Sequence, residues 1–353
     1  MIVRNIKNPL ISPRDVKPVG DDFEVVGVFN PGVTTYKGKT ALLIRVAQRV
    51  KDKGDNMLRV PVFNKKTKSL DIICFDKNDR SIDFSDSRLV KLGDGTLYLT
   101  SCSFLRLATS RDGSNFVLRD DINIIPDNIY EAYGIEDARI TKIGRTYYIN
   151  YSSASELGII TGLIRTKDFI RFERMGVIFP PDNKDVSIFP EKIDGRYYAL
   201  HRPSTSAFGK PEIWIADSPD LVRWGNHKHL LGVRKGLWDG ARVGASSVPM
   251  RTDAGWLVIY HGADENNKYS LGAMLLDINN PSKLIARTPL PFAAPEADYE
   301  VNGFFDGVVF ACGCVEKKDG LEIYYGAGDK YICGITVSKK NLFSGLAPTA
   351  ENE

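Results

Sequence analysis

Apolar and polar residues alternate with a period of two in short runs along most of the chain, the pattern of half-buried strands. The clearest runs cover residues 40–46, 96–101, 146–151, 197–201, 256–260 and 321–325. No stretch keeps a helical period beyond a short turn at 127–133. The strands come in a recurring unit: an acidic or polar residue, an apolar run, a glycine turn and an aromatic-rich second strand. It reads clearly at 85–99, 136–149 and 189–202, and more faintly around Gly38, Gly255 and Gly320. A second unit lies between these, at 107–116, 163–172 and 215–224. Each copy is an outer strand, a turn built on Ser or Thr with Asp and Gly or Pro, and an aromatic able to cap the sheet. Alternating the two units gives a four-stranded blade, at or somewhat above the ~40–50 residues usual for one. A lone hairpin cannot bury its own faces, so the copies must stack. The expectation is an all-β, β-propeller fold with a polar site on its axis, where strand ends converge.

Composition changes this picture little. With 43% hydrophobic and 26% charged residues, the 353-residue chain can build an ample core and reads as a soluble globular protein. No linker or composition shift divides it, so one domain over 1–353 is expected. Residues 1–29 and 344–353 read as peripheral arms, the last ten loose. A net charge of +3 gives no reason to expect nucleic acid or an anionic membrane as partner. The first residues lack the apolar core of a signal peptide, and no run approaches the ~18 apolar residues of a membrane span, so the cytoplasm is expected. Five cysteines, an odd number, read as reduced thiols. Cys312 and Cys314 are too close for an ordinary disulfide and lack a second pair at zinc spacing. The four histidines form no zinc motif, and His227-Lys228-His229 reads as a solvated polar loop. No metal and no cofactor are expected.

Inner strands of a propeller bring their ends to the axis, so polar residues at matching places should face one another. The first repeats supply Asn30, Arg45, Arg49, Asp86 and Arg88, and the middle ones Asp137, Arg139, Lys184, Asp185 and Glu191. His201, Arg202, Arg242, His261, Tyr269 and Asp329 follow. Some have plainer readings: Asp86 with Arg88 as a tie between blades, Arg45 and Arg49 as a solvated basic edge, Glu191 as structural. Two apolar strands stop abruptly on His201-Arg202 and on His261, which favours a shared site. Carboxylates can protonate a leaving group, and Arg, Lys and His can hold an anion. With aromatic faces for stacking, the set points to sugar or phosphate chemistry. Glycine-rich phosphate loops and a Gly-x-Ser-x-Gly elbow are absent.

Several motifs resemble the mannoside phosphorylases of glycoside hydrolase family 130. They are Gly134-Ile135-Glu136-Asp137-Ala138-Arg139, Asn183-Lys184-Asp185, Ile188-Phe189-Pro190-Glu191, Leu200-His201-Arg202-Pro203, Ile259-Tyr260-His261-Gly262 and Tyr324-Tyr325-Gly326-Ala327-Gly328-Asp329. They run in order over nearly the whole chain. The resemblance implies a five-bladed β-propeller that splits short β-mannosides with inorganic phosphate, giving α-mannose 1-phosphate and a shortened sugar. Inorganic phosphate is then a co-substrate. Asp137 matches the family's catalytic acid, whose proton is thought to pass through the O3 hydroxyl of the mannosyl residue. Ala138 replaces the usual Pro of that motif. Arg202, Arg242, His261, Tyr269 and Lys184 match or flank phosphate-holding positions. Asn30, Arg45, Arg49, Asp86, Arg88, Asp185 and Asp329 form the substrate-binding set. Family members often assemble, so a homo-oligomer is allowed.

Phosphate chemistry separates this reading from its rivals. An inverting hydrolase needs one carboxylate as acid and another as base to activate water. Phosphate is already nucleophilic and needs cations to hold it in line. The basic or neutral Arg202, Arg242 and His261 favour phosphorolysis, with β-1,2-linked mannobiose or oligomannosides preferred over β-1,4 linkages. An inverting β-mannosidase using water and a non-catalytic sugar-binding propeller remain the alternatives.

Overall fold

The chain, seen in a computed structural model that describes residues 2–204 and 208–349, is built almost wholly of antiparallel strands. They fall into five groups, four-stranded except for the fourth. The first takes Phe23–Tyr36, Lys39–Val50, Cys102–Ser110 and Val117–Ile124. The second runs Ile135–Ile143, Thr146–Ser155, Gly158–Thr166 and Glu173–Phe179. Asn183–Ile188, Tyr197–Pro203, Ile213–Ser218 and Gly225–Leu231 make the third. In the fourth, Arg242–Ala245 and Met250–Thr252 both pair with Gly255–Ala263, followed by Tyr269–Leu276 and Leu284–Arg287. The last holds Val309–Lys317, Gly320–Ala327 and Tyr331–Ser338, with Ile2–Arg4 as its edge.

Contacts pass from each group to the next. A parallel bridge joins Ser103 to Gly134, and Asn150 Nδ2 donates to the Val186 carbonyl at 2.6 Å. Ser187 Oγ donates to the Ser247 carbonyl at 2.6 Å, and Tyr269 bridges Val308. The last group returns to the first through one parallel bridge, Gly32 to Cys312. The core lies between these sheets. Leu43, Leu105, Ile140, Ile149 and Phe169 fill one interface, and Leu257, Ile259, Leu271, Leu321 and Ile323 another. Each such side chain contributes about 1.5–3 kcal/mol by leaving water. The hairpin turns follow the expected glycines: Lys37-Gly38 and Asp194-Gly195 both have positive φ at each residue, as a tight two-residue turn requires.

Three expectations change. The unit at 85–99 is no blade hairpin. Leu89–Lys91 and Leu97–Leu99 form a small separate sheet, within an excursion that also carries the Met57–Asn64 and Ser69–Asp76 hairpin. Its local pattern copies the repeat, but each strand is three residues long and pairs with no strand of the four-stranded groups, and Leu97 stays 44% exposed. His227 to His229 are exposed as expected but lie within a strand, where His227 Nδ1 meets His201 Nε2 at 3.0 Å. The C-terminal segment is held rather than loose: Lys339–Ser344 is helical and Ala347–Pro348 pairs with Ala286 and Arg287. Residues 350–353 of that segment lie outside the described residues. At the other end, the Arg4 guanidinium grips the buried Glu300 carboxylate at 2.9 Å. Among the described residues no helix is long and apolar enough to cross a membrane.

Candidate active site

The inner strands of the first three groups each break register at a residue of positive φ, and the first breaks a second time between Val25 and Gly27. The positive-φ residues are Asn30 (φ 44°), Asp137 (φ 49°) and Asp185 (φ 54°). Asn and Asp tolerate this left-handed conformation better than other residues carrying a Cβ. A bulge re-aims the side chain that it carries. All three line one cavity of about 430 Å³.

The first, second and last groups give this cavity a carboxylate-rich wall. Asp137 Oδ1 accepts from Asn30 Nδ2 and Arg45 Nη1, both at 3.0 Å. Arg45 also binds Glu136 at 2.6 Å and stacks over Phe29. Burial disfavours the Arg45 charge, but Glu136, Asp137 and Asp329 raise its pKa above the usual arginine value. Asp329 lines the same wall at φ 50°. Its pKa is pushed up to about 6, first by burial and then by Asp137 and Glu136, against the pull of Arg45 and Arg88. A carboxyl that keeps its proton into this range is unusual outside functional sites.

The third and fourth groups supply the other wall, which is cationic. Lys184, Arg202 and Arg242 line it. Arg242 donates to the Tyr269 hydroxyl at 2.8 Å and to Asn267 Oδ1 at 2.6 Å. Arg202 pairs with Asp185 at 2.9 Å. Behind them lies His261, fully buried, with Nε2 3.2 Å from Asp185 Oδ2 and Nδ1 3.0 Å from Ser246 Oγ. Burial pushes its pKa down to about 4, helped by Arg202 and Arg139 and opposed by Asp185. A neutral imidazole placed so keeps one ring nitrogen against the Ser246 hydroxyl and the other beside the Asp185 carboxylate. Burial also opposes the Asp185 charge, yet Arg202, His261 and Arg139 hold its pKa well below the usual carboxylate value.

Residues 94–344 match the glycoside hydrolase family 130 pattern described as beta-1,4-mannooligosaccharide phosphorylase. The chain belongs to that family. It is 49% identical over 353 residues to the beta-1,2-mannobiose phosphorylase of Listeria innocua, covering 99% of each chain. A 1,2-beta-oligomannan phosphorylase of Thermoanaerobacter is 41% identical over 72% of this chain and 85% of its own. The crystal structure of the Listeria innocua enzyme with beta-1,2-mannobiose superposes with a TM-score of 0.94 at 47% identity, covering 98% of both chains.

The cavity gathers Asn30, Arg45, Arg88, Asp137, Lys184, Asp185, Arg202, Arg242, Tyr269 and Asp329 from the sequence-based candidates. Arg49 stays outside it. It is half exposed and pairs with Glu24 at 2.7 Å. Four residues along a strand move a side chain about 13 Å, so Arg49 shares the Arg45 face but not its site. Asp86 does not line the cavity either; it binds the Arg88 guanidinium at 2.8 Å. His261 backs the wall without lining it. His201 points away from the site, held between Asn183 and His227 and stacked on Phe179. Glu191 pairs with Arg251 at the surface. Sequence reasoning passed over Glu136, Asn267, Phe304 and Phe305, which also line the cavity. Glu136 would point away from Asp137 in a regular strand, and only the bulge brings the two to one side.

Proposed function

We propose that this family 130 chain is an inverting glycoside phosphorylase acting on short β-mannosides, in one catalytic domain over residues 1–353. Phosphate attacks the anomeric carbon of the terminal mannosyl residue while the bond to the neighbouring sugar breaks. The product is α-mannose 1-phosphate with a sugar one unit shorter. Asp137 supplies the proton to the departing oxygen, by the family resemblance through the O3 hydroxyl of the mannosyl residue. Arg202, Arg242, Lys184 and Tyr269 hold the phosphate, and His261 supports them from behind. Asn30, Arg45, Arg88 and Asp329 face the sugar.

The observation that carries this reading is the division of the cavity into a wall with the acid and a wall of cations. A hydrolase would need a free carboxylate on the cationic side to activate water. The carboxylate there, Asp185, is buried and stands within 3.2 Å of Arg139, Arg202 and His261, which leaves little room for a water to activate. Cations aimed at phosphate instead offset its repulsion and fix the line of attack. The β-1,2 linkage is the favoured one, supported by the names of the Listeria innocua and Thermoanaerobacter relatives.

The five strand groups, each tied to the next and the last tied to the first, support a five-bladed β-propeller with the site on its axis. A cytoplasmic address fits a product whose charge retains it inside the cell. The phosphate wall is tested by Arg202→Ala. Its KM for phosphate should rise about tenfold or more, with a smaller change in KM for mannobiose. Phosphate dependence equal to that of the parent enzyme would remove Arg202 from the site.

A further inference from the structure

We propose that Asp185 is a positioning residue: its buried carboxylate sets the phosphate-holding Arg202 and, through Arg139, the backbone that carries the catalytic acid. This inference rests on the phosphorylase reading. Asp185 is 2% exposed, and each of its oxygens lies against a guanidinium or the His261 ring. Oδ2 faces Arg202 Nη1 at 2.9 Å and His261 Nε2 at 3.2 Å, while Oδ1 accepts from Arg139 Nη2 at 3.1 Å. Arg139 in turn donates from Nη1 to the Asp137 carbonyl at 2.9 Å and from Nη2 to the Ala245 carbonyl at 2.9 Å. One carboxylate therefore connects three strand groups: the acid's bulge, its own bulge and the strand behind the phosphate wall.

The charge arithmetic explains why a carboxylate stands there. Arg139 and Arg202 are both buried, at 1% and 7% exposed. Without a shared anion they would repel each other in a poorly solvated interior. With it, Arg202 is fixed at one nitrogen and keeps its remaining edge for a ligand anion. Gly244 supplies a second, independent sign of the arrangement. A Cβ built there would lie 2.5 Å from both Asp185 Oδ2 and His261 Nε2, so only glycine lets the carboxylate and the ring meet. The strand keeps ordinary φ at this point, and closeness rather than conformation is what calls for glycine.

Asp185→Asn tests the claim cleanly, because Asn accepts the same left-handed backbone and removes only the charge. Inorganic phosphate binding is measured by calorimetry on the parent enzyme and the variant, beside steady-state constants for phosphate and β-1,2-mannobiose. The phosphate Kd should weaken about tenfold or more and kcat should fall, while KM for mannobiose moves less than about threefold. Gly244→Ala keeps every charge and should shift phosphate binding in the same direction; it decides the matter if Asp185→Asn does not fold. Unchanged phosphate affinity in the variants would overturn the proposal, even if their melting temperatures fell. A loss confined to mannobiose would also overturn it and make Asp185 a sugar ligand. A parent enzyme that binds no phosphate and releases free mannose fails differently: it overturns the phosphorylase reading and this inference with it.

Discussion

Asp137 shows how much chemistry depends on one backbone angle. Its left-handed φ breaks the strand register and places its carboxylate against Asn30 and Arg45. Asp137→Asn keeps that angle and loses the proton, so kcat should fall by about 10²–10⁴-fold with the fold intact. A circular dichroism melt beside the turnover assay checks both halves. Asp329 makes a different prediction, about pH. Its folded pKa lies near 6 against an ordinary 3.8, so the fold favours the protonated form. The folded state then holds more protons than the unfolded one between these values, and this group's contribution falls as pH rises through them. Asp329→Asn should therefore gain melting temperature relative to the parent enzyme at pH 7 and lose that gain by pH 4. A gain equal at both pH values would contradict the assignment. His261 has the opposite sign: its folded pKa is near 4 against 6.5, so its contribution is present above pH 6.5 and lost on acidification. Asp137, Arg202 and Asp329 were legible in the sequence as polar residues in matching motifs. That Arg49 and Asp86 fall outside was not, because a residue type does not reveal how far along a strand the site extends.

Strand elements were the most readable part of the chain, since alternation and glycine turns report local geometry directly. The runs at 146–151, 197–201 and 256–260 all fall inside strands. The unit at 85–99 misled because a turn pattern says nothing about what covers a hairpin's faces. Bulges were equally hidden: an inserted residue leaves no mark on composition, and only pairing to the neighbouring strand exposes it. Close packing between elements yields a further prediction at Gly134, which bridges the first and second groups. A Cβ there would sit 2.5 Å from the Ser103 amide nitrogen, at φ 116°. Gly134→Ala should destabilise the protein by about 1–3 kcal/mol and shift the denaturant midpoint accordingly. A midpoint equal to the parent's would show that this junction is slack.

Across the whole molecule, the two chain ends close what the repeats begin. Ile2–Arg4 completes the last group, and Arg4 reaches Glu300, whose carboxylate also accepts from the Tyr325 hydroxyl at 2.6 Å. Arg4→Ala leaves that buried carboxylate with its neutral partners alone and should cost about 1–3 kcal/mol, read as a lower melting temperature. The N-terminal segment has little sequence signal of its own, which is why it reads as an arm. Its role comes from contacts almost three hundred residues away in the chain. The same long-range assembly turns scattered Asp, Arg and Lys residues into one cavity with an acid on one wall and cations on the other.

That division is most directly tested by product analysis of the purified protein with β-1,2-mannobiose, with and without inorganic phosphate, followed by NMR of the anomeric signals. α-Mannose 1-phosphate and free mannose should appear in equal amounts when phosphate is present, with no turnover when it is absent. Mannose released at the same rate in both tubes would show that water is the nucleophile and that the cationic wall serves another purpose.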